Sequence, residues 1–155
     1  MLTFQVAGID TEIARQVRAT GRAVAYPHPT HREVARGSGP CRHCLNTFRI
    51  GEEERILFTH QPFSSPDAIP APVPVFIHAS DCPRYDARVF PDPLRVLPLV
   101  FDGIGAMGLP RRQLRVSDGD AESAIAELFA DPDVWYVHVR HGEAGCFVAR
   151  VDRND

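Results

Sequence analysis

Residues 134–151 have the sequence VWYVHVRHGEAGCFVARV, which carries the clearest strand pattern of the chain. Its two halves are rich in the β-branched and aromatic residues that strands prefer, and a short linker containing glycine separates them. The pattern predicts a β-hairpin over 134–151. Pairing Arg140 with Gly145 places His138 and Cys146 on opposite faces of the sheet, so these two side chains are not expected to form one site.

The segments before the hairpin predict further strands that are joined by turn residues. Strands are predicted over 2–7, 55–60, 75–78 and 95–101. Pro98 is expected to keep the last of these strands at the margin of the sheet, because proline cannot donate to a neighbouring strand. Loops are predicted over 27–40 and 61–74, where proline, glycine and serine recur without a sustained period.

Two helices are predicted from apolar spacing and from the residues that cap them. The first follows Asp10 and ends at Gly21, and its Arg15, Arg18 and Arg22 share a face that is expected to be a solvated stripe. The second begins after Asp118 or Asp120 and ends near Asp131. Because strand-like runs outnumber helices and do not alternate with them, we expect one α+β domain over 1–155 with a mostly antiparallel sheet.

Composition excludes several classes of function. The 155 residues are 44% apolar, which suits one domain, and a formal charge of −3 argues against a nucleic-acid partner. All 17 basic residues are arginine, which excludes enzymes that need a Schiff-base or phosphate-loop lysine. No apolar run reaches the roughly 18 residues of a membrane span, and the first residues do not resemble a signal peptide. A cytoplasmic protein without a membrane partner is therefore expected.

A glycine-rich motif at residues 103–108, GIGAMG, matches the dinucleotide-binding fingerprint. That fingerprint requires a helix whose N-terminus holds the pyrophosphate, whereas Pro110 and the strand-like residues 111–116 follow here. The motif therefore predicts a turn between two strands and no nucleotide site.

The strongest chemical signal is a pair of cysteines, Cys41 and Cys44, followed by His78 and Cys82. Cysteine and histidine are the ligands that zinc prefers, and a CxxC turn with a second pair at a strand end can complete a tetrahedral Cys₃His site. We predict that these four residues bind zinc and tie the 27–50 segment to the strand at 75–78. With one cysteine absent from such a site, the open position could activate water, with Glu52, Glu53 or His43 as the base.

A reactive thiol is the alternative interpretation, because basic side chains crowd around Cys41 in the sequence and would stabilise its thiolate. In that case Cys41 acts as a nucleophile, Arg42 or Arg36 holds a small anionic substrate, and a histidine transfers protons. A third possibility is that the cysteines bind nothing and simply pack. Whether the protein is an enzyme stays open at this point.

Several motifs together resemble the bacterial family catalogued as domain of unknown function 1203. They are Pro40–Leu45, Gly51-Glu52, Leu57 with Pro62-Phe63, Val75–Ala79 with Cys82 and Tyr85, and Val137–Arg140 with Gly145–Phe147. The likeness covers nearly the whole chain but implies no particular activity or cofactor. The chain departs from the family pattern at Asp67 and His141, where the pattern has tyrosine and asparagine. The resemblance favours roles centred on Cys41, Arg42, His78 and His138, and the thiol alternative accordingly takes His138 as its histidine.

Overall fold

A computed structural model describes residues 3–24, 28–37, 39–61, 72–117 and 120–154. In chain order these residues form β1 (Phe4–Ala7), α1 (Thr11–Thr20), β2 (His31–Val34), β3 (Glu54–His60), β4 (Val73–His78), β5 (Asp86–Ala87), β6 (Leu99–Ile104), β7 (Pro110–Val116), α2 (Ala121–Phe129), β8 (Tyr136–His141) and β9 (Phe147–Arg153). Every pair of described strands is antiparallel, so the predicted α+β class is confirmed. Neither α helix of the described chain has the length and apolar character to cross a bilayer.

The strands form two sheets of unequal size. The larger sheet has six strands in the order β5-β1-β9-β8-β6-β7, and the smaller has three in the order β2-β3-β4. The predicted C-terminal hairpin is β8 with β9, which lies in the middle of the larger sheet. The stretch that carries the strongest strand pattern therefore forms the centre of the sheet, where both faces are covered.

The register of this hairpin differs from the prediction. Arg140 pairs with Phe147 rather than with Gly145, and a bulge follows Val139. The turn is wider than expected, because His141 donates its backbone N–H to the carbonyl of Cys146 at 2.9 Å and Gly145 has a positive φ of 76°. Cys146 consequently belongs to the turn and not to the strand.

The two faces of the larger sheet carry different side chains. One face packs against α2 and forms the larger core, which includes Phe101, Ile125, Leu128, Val137, Val139, Ala149 and Val151. On the opposite face His138 lies between Asp102 and Arg150 of the neighbouring strands. The phenyl ring of Phe147 stacks on the His138 ring at 4.9 Å and belongs to the second, smaller core. Phe147 therefore connects the two sheets.

The smaller core lies between the three-stranded sheet and α1. Ala14 and Val17 of α1 are fully buried in it, together with Ile77 and the cysteine-bearing turn. As predicted, the helix follows Asp10 and stops at Gly21, which has a φ of 66° and donates its N–H to the carbonyl of Val17. The amphipathic spacing in the sequence thus positions the helix against the segment that carries the candidate ligands.

Two of the loop and strand predictions need correction. The loop predicted over 27–40 contains β2, an exposed edge strand that pairs with β3 and lacks the apolar alternation of a buried strand. Of the loop predicted over 61–74, residues 62–71 lie outside the described residues, and β4 begins at Val73.

The strand predicted over 95–101 begins only at Leu99, after Pro98, and lies inside the sheet between β7 and β8. Pro98 is accommodated because it precedes the strand. The glycine-rich motif at 103–108 connects β6 to β7, so it is a turn between two strands as predicted.

Candidate metal centre

A short turn after β2 presents Cys41 and Cys44. The Leu45 N–H donates to the carbonyl of Cys41, and the Cys41 N–H donates to the carbonyl of Asn46, both at 2.8 Å. Leu45 has a φ of 62° and is fully buried in the larger core, whereas both cysteines belong to the smaller core. The turn is therefore anchored on both sides, and its two thiols point into the smaller core.

The strand β4 brings His78 to these thiols. The backbone N–H of Arg42 donates to the carbonyl of Phe76 at 2.9 Å, which docks the turn onto β4. His78 ends the strand, and its backbone N–H donates to Sγ of Cys41 at 3.3 Å. Cys82 lies four residues further along, on the segment that leaves β4.

The four candidate ligands converge on one point. Their ligand atoms all lie within 4.8 Å of one another. Sγ of Cys41 and Sγ of Cys82 are 3.9 Å apart, and Nδ1 of His78 lies 3.4 Å from Sγ of Cys44. Tetrahedral coordination with Zn–S bonds of about 2.3 Å requires sulfur atoms about 3.8 Å apart. The cluster can hold one metal ion at these separations.

Glu53 contacts the ring nitrogen of His78 that faces away from the cluster. Its Oε2 lies 3.2 Å from Nε2 of His78, and its Oε1 accepts the backbone N–H of Arg49 at 2.7 Å. A carboxylate that accepts the second ring N–H of a ligating histidine fixes the tautomer and the ring orientation. Nδ1 of His78 is thereby left to face the three thiols.

Two groups outside the cluster contact Sγ of Cys82. Arg18 of α1 donates to its Sγ at 3.3 Å and to the carbonyl of His78 at 2.9 Å. Nδ1 of His43 lies 3.2 Å from the same Sγ, and Nε2 of His43 lies 3.0 Å from the hydroxyl of Thr11. These contacts tie the first and last turns of α1 to the most exposed of the four ligands.

Sequence reasoning missed Arg18, which was expected to be part of a solvated stripe. Its side chain is only 13% exposed, whereas that of Arg15 is 72% exposed. The distinguishing signal lies in the tertiary structure, because Arg18 follows the buried Val17 and so lies at the border of the apolar face. Helical periodicity alone does not show what packs against such a border.

The electrostatics of the cluster favour deprotonated sulfur at Cys41. Hydrogen bonds from Cys44 and Cys82 hold the pKa of the Cys41 thiol well below its usual value. The Cys41 contact in turn raises the pKa of His78 to about 10 and raises that of Cys44. Burial lowers the pKa of His43. The negative charge of one thiolate is therefore stabilised by the remaining members of the group.

Arg42 and His138, the other residues of the thiol alternative, face different surroundings. Arg42 is buried, and its guanidinium donates to the carbonyls of Phe147 and Pro40 at 2.7 and 2.6 Å. His138 lies in the larger sheet with Nδ1 3.8 Å from the carboxylate of Asp102. Cys41 itself is fully buried.

The two glutamates predicted as bases for an open zinc site have partners of their own. Glu53 contacts His78, and Glu52 forms an exposed ion pair with Arg49.

Comparison with known proteins gives a family but no described activity. A family model described as "Protein of unknown function (DUF1203)" matches residues 38–153, which is 116 of the 155 residues. No curated protein and no solved structure matches the chain significantly. The four candidate ligands lie inside the matched region, whereas β1 and α1 precede it. The chain therefore belongs to the DUF1203 family.

Proposed function

We propose that the protein binds one Zn²⁺ through Cys41, Cys44, His78 and Cys82 and that this ion has a structural or interaction role. The observation that carries the proposal is the convergence of the four ligand atoms within 4.8 Å. Three thiolates and one imidazole form a donor set that suits zinc, which prefers tetrahedral sulfur and nitrogen coordination. A set of four protein ligands leaves no position for a reacting water, so a closed site of this kind is expected to stabilise structure.

The proposed ion would join parts of the chain that are distant in sequence. Cys41 and Cys44 belong to the turn, His78 ends β4, and Cys82 is held by Arg18 of α1. The smaller core has 13 buried residues among those described, against 18 in the larger core, so a metal would add a constraint to the part of the fold with less apolar burial. The contact between the turn and Phe76 extends this constraint into the three-stranded sheet.

Cobalt substitution tests the proposal with a matched pair of variants. Untagged protein is stripped of metal, titrated with Co²⁺ and then back-titrated with Zn²⁺, while absorption from thiolate-to-cobalt charge transfer is recorded. The wild type is expected to bind one equivalent with the intense visible bands of a tetrahedral site. Cys44→Ser is expected to lose these bands or weaken the affinity at least about a hundredfold, because it removes one of four ligands.

The control is Cys146→Ser, which removes a cysteine that lies in the hairpin turn and outside the cluster. This variant should bind cobalt and zinc like the wild type. A wild type that binds less than about 0.2 equivalents after refolding with zinc, or a loss of binding in Cys146→Ser equal to that in Cys44→Ser, would contradict the proposal.

The thiol-dependent enzyme stays the second candidate, because the lowered pKa of Cys41 is the property of a nucleophilic thiol. In this alternative Cys41 attacks a small anionic substrate, which Arg42 holds, and His138 transfers protons. Iodoacetamide labelling of metal-free protein across a pH series distinguishes the two candidates, with Cys146 as an internal reference. The alternative requires Cys41 to label with a pKa below about 8.5, and slow labelling of Cys41 at every pH would exclude it.

We further propose a cytoplasmic location and no nucleic-acid or membrane partner. The four cysteines are free thiols, which is the usual state in a reducing compartment. The net charge of −3 gives no overall attraction to a phosphate backbone. Retention of the purified protein on a heparin column at physiological salt would contradict the absence of a polyanion partner.

A further inference from the structure

A cleft of about 430 Å³ lies between the two sheets, and none of the four cluster residues lines it. Its walls come from the junction of β1 with α1, from the end of β3 and from β9. The lining includes Ile9, Ile13, His60, Arg84, Phe147 and Arg150. The cleft thus combines apolar surface with groups that can form hydrogen bonds, which is the usual composition of a small-molecule site.

His60 is the polar group of the buried part of this cleft. Its side chain is only 7% exposed and lies against the Phe147 ring at 5.5 Å and the Phe58 ring at 6.2 Å. Among the described residues, none forms a hydrogen bond with the ring nitrogens of His60. The ring nitrogens of His60 are not among the fully enclosed polar atoms of the described chain, so they open onto the cleft, where a ligand group can form a hydrogen bond with them.

The ring of His60 is neutral, because burial lowers its pKa to about 4. A neutral imidazole offers one N–H donor and one acceptor. A hydroxyl, carbonyl or amide of a ligand can satisfy either nitrogen. His60 therefore favours an uncharged ligand group that can form a hydrogen bond.

The rim of the cleft is charged. Arg84 contacts Asp10 at 3.2 Å and donates to the carbonyl of Gly8 at 3.0 Å. Arg150 contacts Asp152 at 2.9 Å. These carboxylates orient the two guanidinium groups but do not use all five N–H donors of each. A ligand carboxylate can occupy the remaining donors.

The N-terminus of α1 adds to this rim. Asp10 precedes the helix, but its side chain makes no capping hydrogen bond to the first turn. The first backbone N–H groups of a helix carry a partial positive charge. The carboxylates of Asp10 and Asp152 balance the charges of Arg84 and Arg150 at this rim. The remaining attraction for an anionic group comes from the unused N–H donors of the two arginines and from the first turn of α1.

We propose that the cleft binds a small organic acid. Its apolar body would lie on Ile9, Ile13 and Phe147, an uncharged polar atom would meet His60, and its carboxylate would meet the rim arginines. This site goes beyond the proposed zinc function, since none of its lining residues is a metal ligand. It shares the backbone of the turn, however, because the Ile9 N–H donates to the carbonyl of Arg42 at 2.9 Å.

Nuclear magnetic resonance titration of the zinc-loaded protein tests this proposal with probes of matched shape. The compounds 4-hydroxyphenylacetate, tyrosol and tyramine share an apolar ring with an uncharged hydroxyl group for His60, and they differ in the charge of the group at the other end. Inorganic phosphate tests an anion that has no apolar part. The compound 4-hydroxyphenylacetate is expected to shift the ring resonances of His60 saturably. The alcohol and the amine are expected to bind at least about tenfold more weakly, because they lack the charge-assisted bonds to arginine.

Three variants locate the binding. Ile13→Trp fills the cleft from the side of α1 and should abolish the shift, and Arg150→Gln should weaken the binding of 4-hydroxyphenylacetate at least about tenfold. His31→Gln changes an exposed histidine on β2 and should leave the affinity unchanged. Zinc content and circular dichroism verify that each variant is folded.

Several outcomes would overturn the proposal. They are the absence of any saturable His60 shift with 4-hydroxyphenylacetate, equal binding of the amine, equal binding of phosphate, and unchanged binding in folded Ile13→Trp protein. Because zinc content is measured on every sample, a lack of zinc binding is distinguished from a lack of ligand binding in the cleft.

Discussion

Replacing Glu53 with glutamine should weaken zinc binding about tenfold without unfolding the protein. The amide keeps an oxygen that can accept the Arg49 N–H, but it loses the negative charge that faces Nε2 of His78 at 3.2 Å. A hydrogen bond to a charged group contributes about 1.5–3 kcal/mol, and the 26% exposure of the Glu53 side chain places this pair near the lower limit. About 1.5 kcal/mol corresponds to about a tenfold change in Kd.

The matched control for this change is Glu52→Gln. Glu52 is the adjacent residue, is 70% exposed and forms an ion pair with Arg49 at 3.4 Å instead of contacting His78. Affinities are measured by competition with a chromogenic chelator at pH 7 for the wild type and both variants. If Glu53→Gln and Glu52→Gln both bind zinc as tightly as the wild type, the carboxylate does not orient His78, and coordination through Nδ1 loses its structural basis.

Three other perturbations give further checks. Removing the metal with a chelator should lower the melting temperature in calorimetry by roughly 10 °C. The reason is that an ion present at about a thousand times its Kd stabilises the folded state by about 4 kcal/mol. Gly8→Ala should cost about 3 kcal/mol in urea denaturation, because its Cβ would lie 2.3 Å from the carbonyl oxygen of His43. Asp102→Asn should flatten the pH dependence of stability below about pH 4. Burial alone would raise the pKa of Asp102, but contacts with His138, Arg140 and Gln113 lower it below 3.8, so its contribution is present at neutral pH and lost on acidification. An unchanged melting temperature after metal removal would contradict the stabilising metal. An unchanged free energy of unfolding in Gly8→Ala, or an unchanged acid transition in Asp102→Asn, would contradict the contacts described for those residues.

The elements that the sequence predicted well are those whose pattern is local. The hairpin at β8 and β9 combines β-branched residues with a glycine-containing linker, and α1 combines apolar spacing with Asp10 and Gly21. Both signals act within a few residues of one another. The convergence of Cys41, Cys44, His78 and Cys82 was also predictable, because a CxxC turn and a strand-end pair are the usual parts of such a cluster.

Features that depend on distant partners were not predictable. The edge strand β2 is specified by its pairing with β3, since its own residues are mostly exposed. Arg18 reaches Cys82 across 64 positions of sequence, and no periodicity indicates that contact. The hairpin register depends on the length of the turn at 141–146, because a difference of one residue in this loop shifts the pairing of the two strands. These features are tertiary, and a local pattern does not contain them.

X-ray absorption at the zinc edge of untagged, refolded protein reports which atoms coordinate the metal. We expect about one zinc per chain, with three sulfur neighbours at about 2.3 Å and one nitrogen neighbour at about 2.0 Å. In Cys82→Ser protein one sulfur neighbour should be replaced by an oxygen or nitrogen atom. A wild-type spectrum without sulfur neighbours, or zinc below about 0.2 equivalents in protein refolded with the metal, would contradict the metal centre.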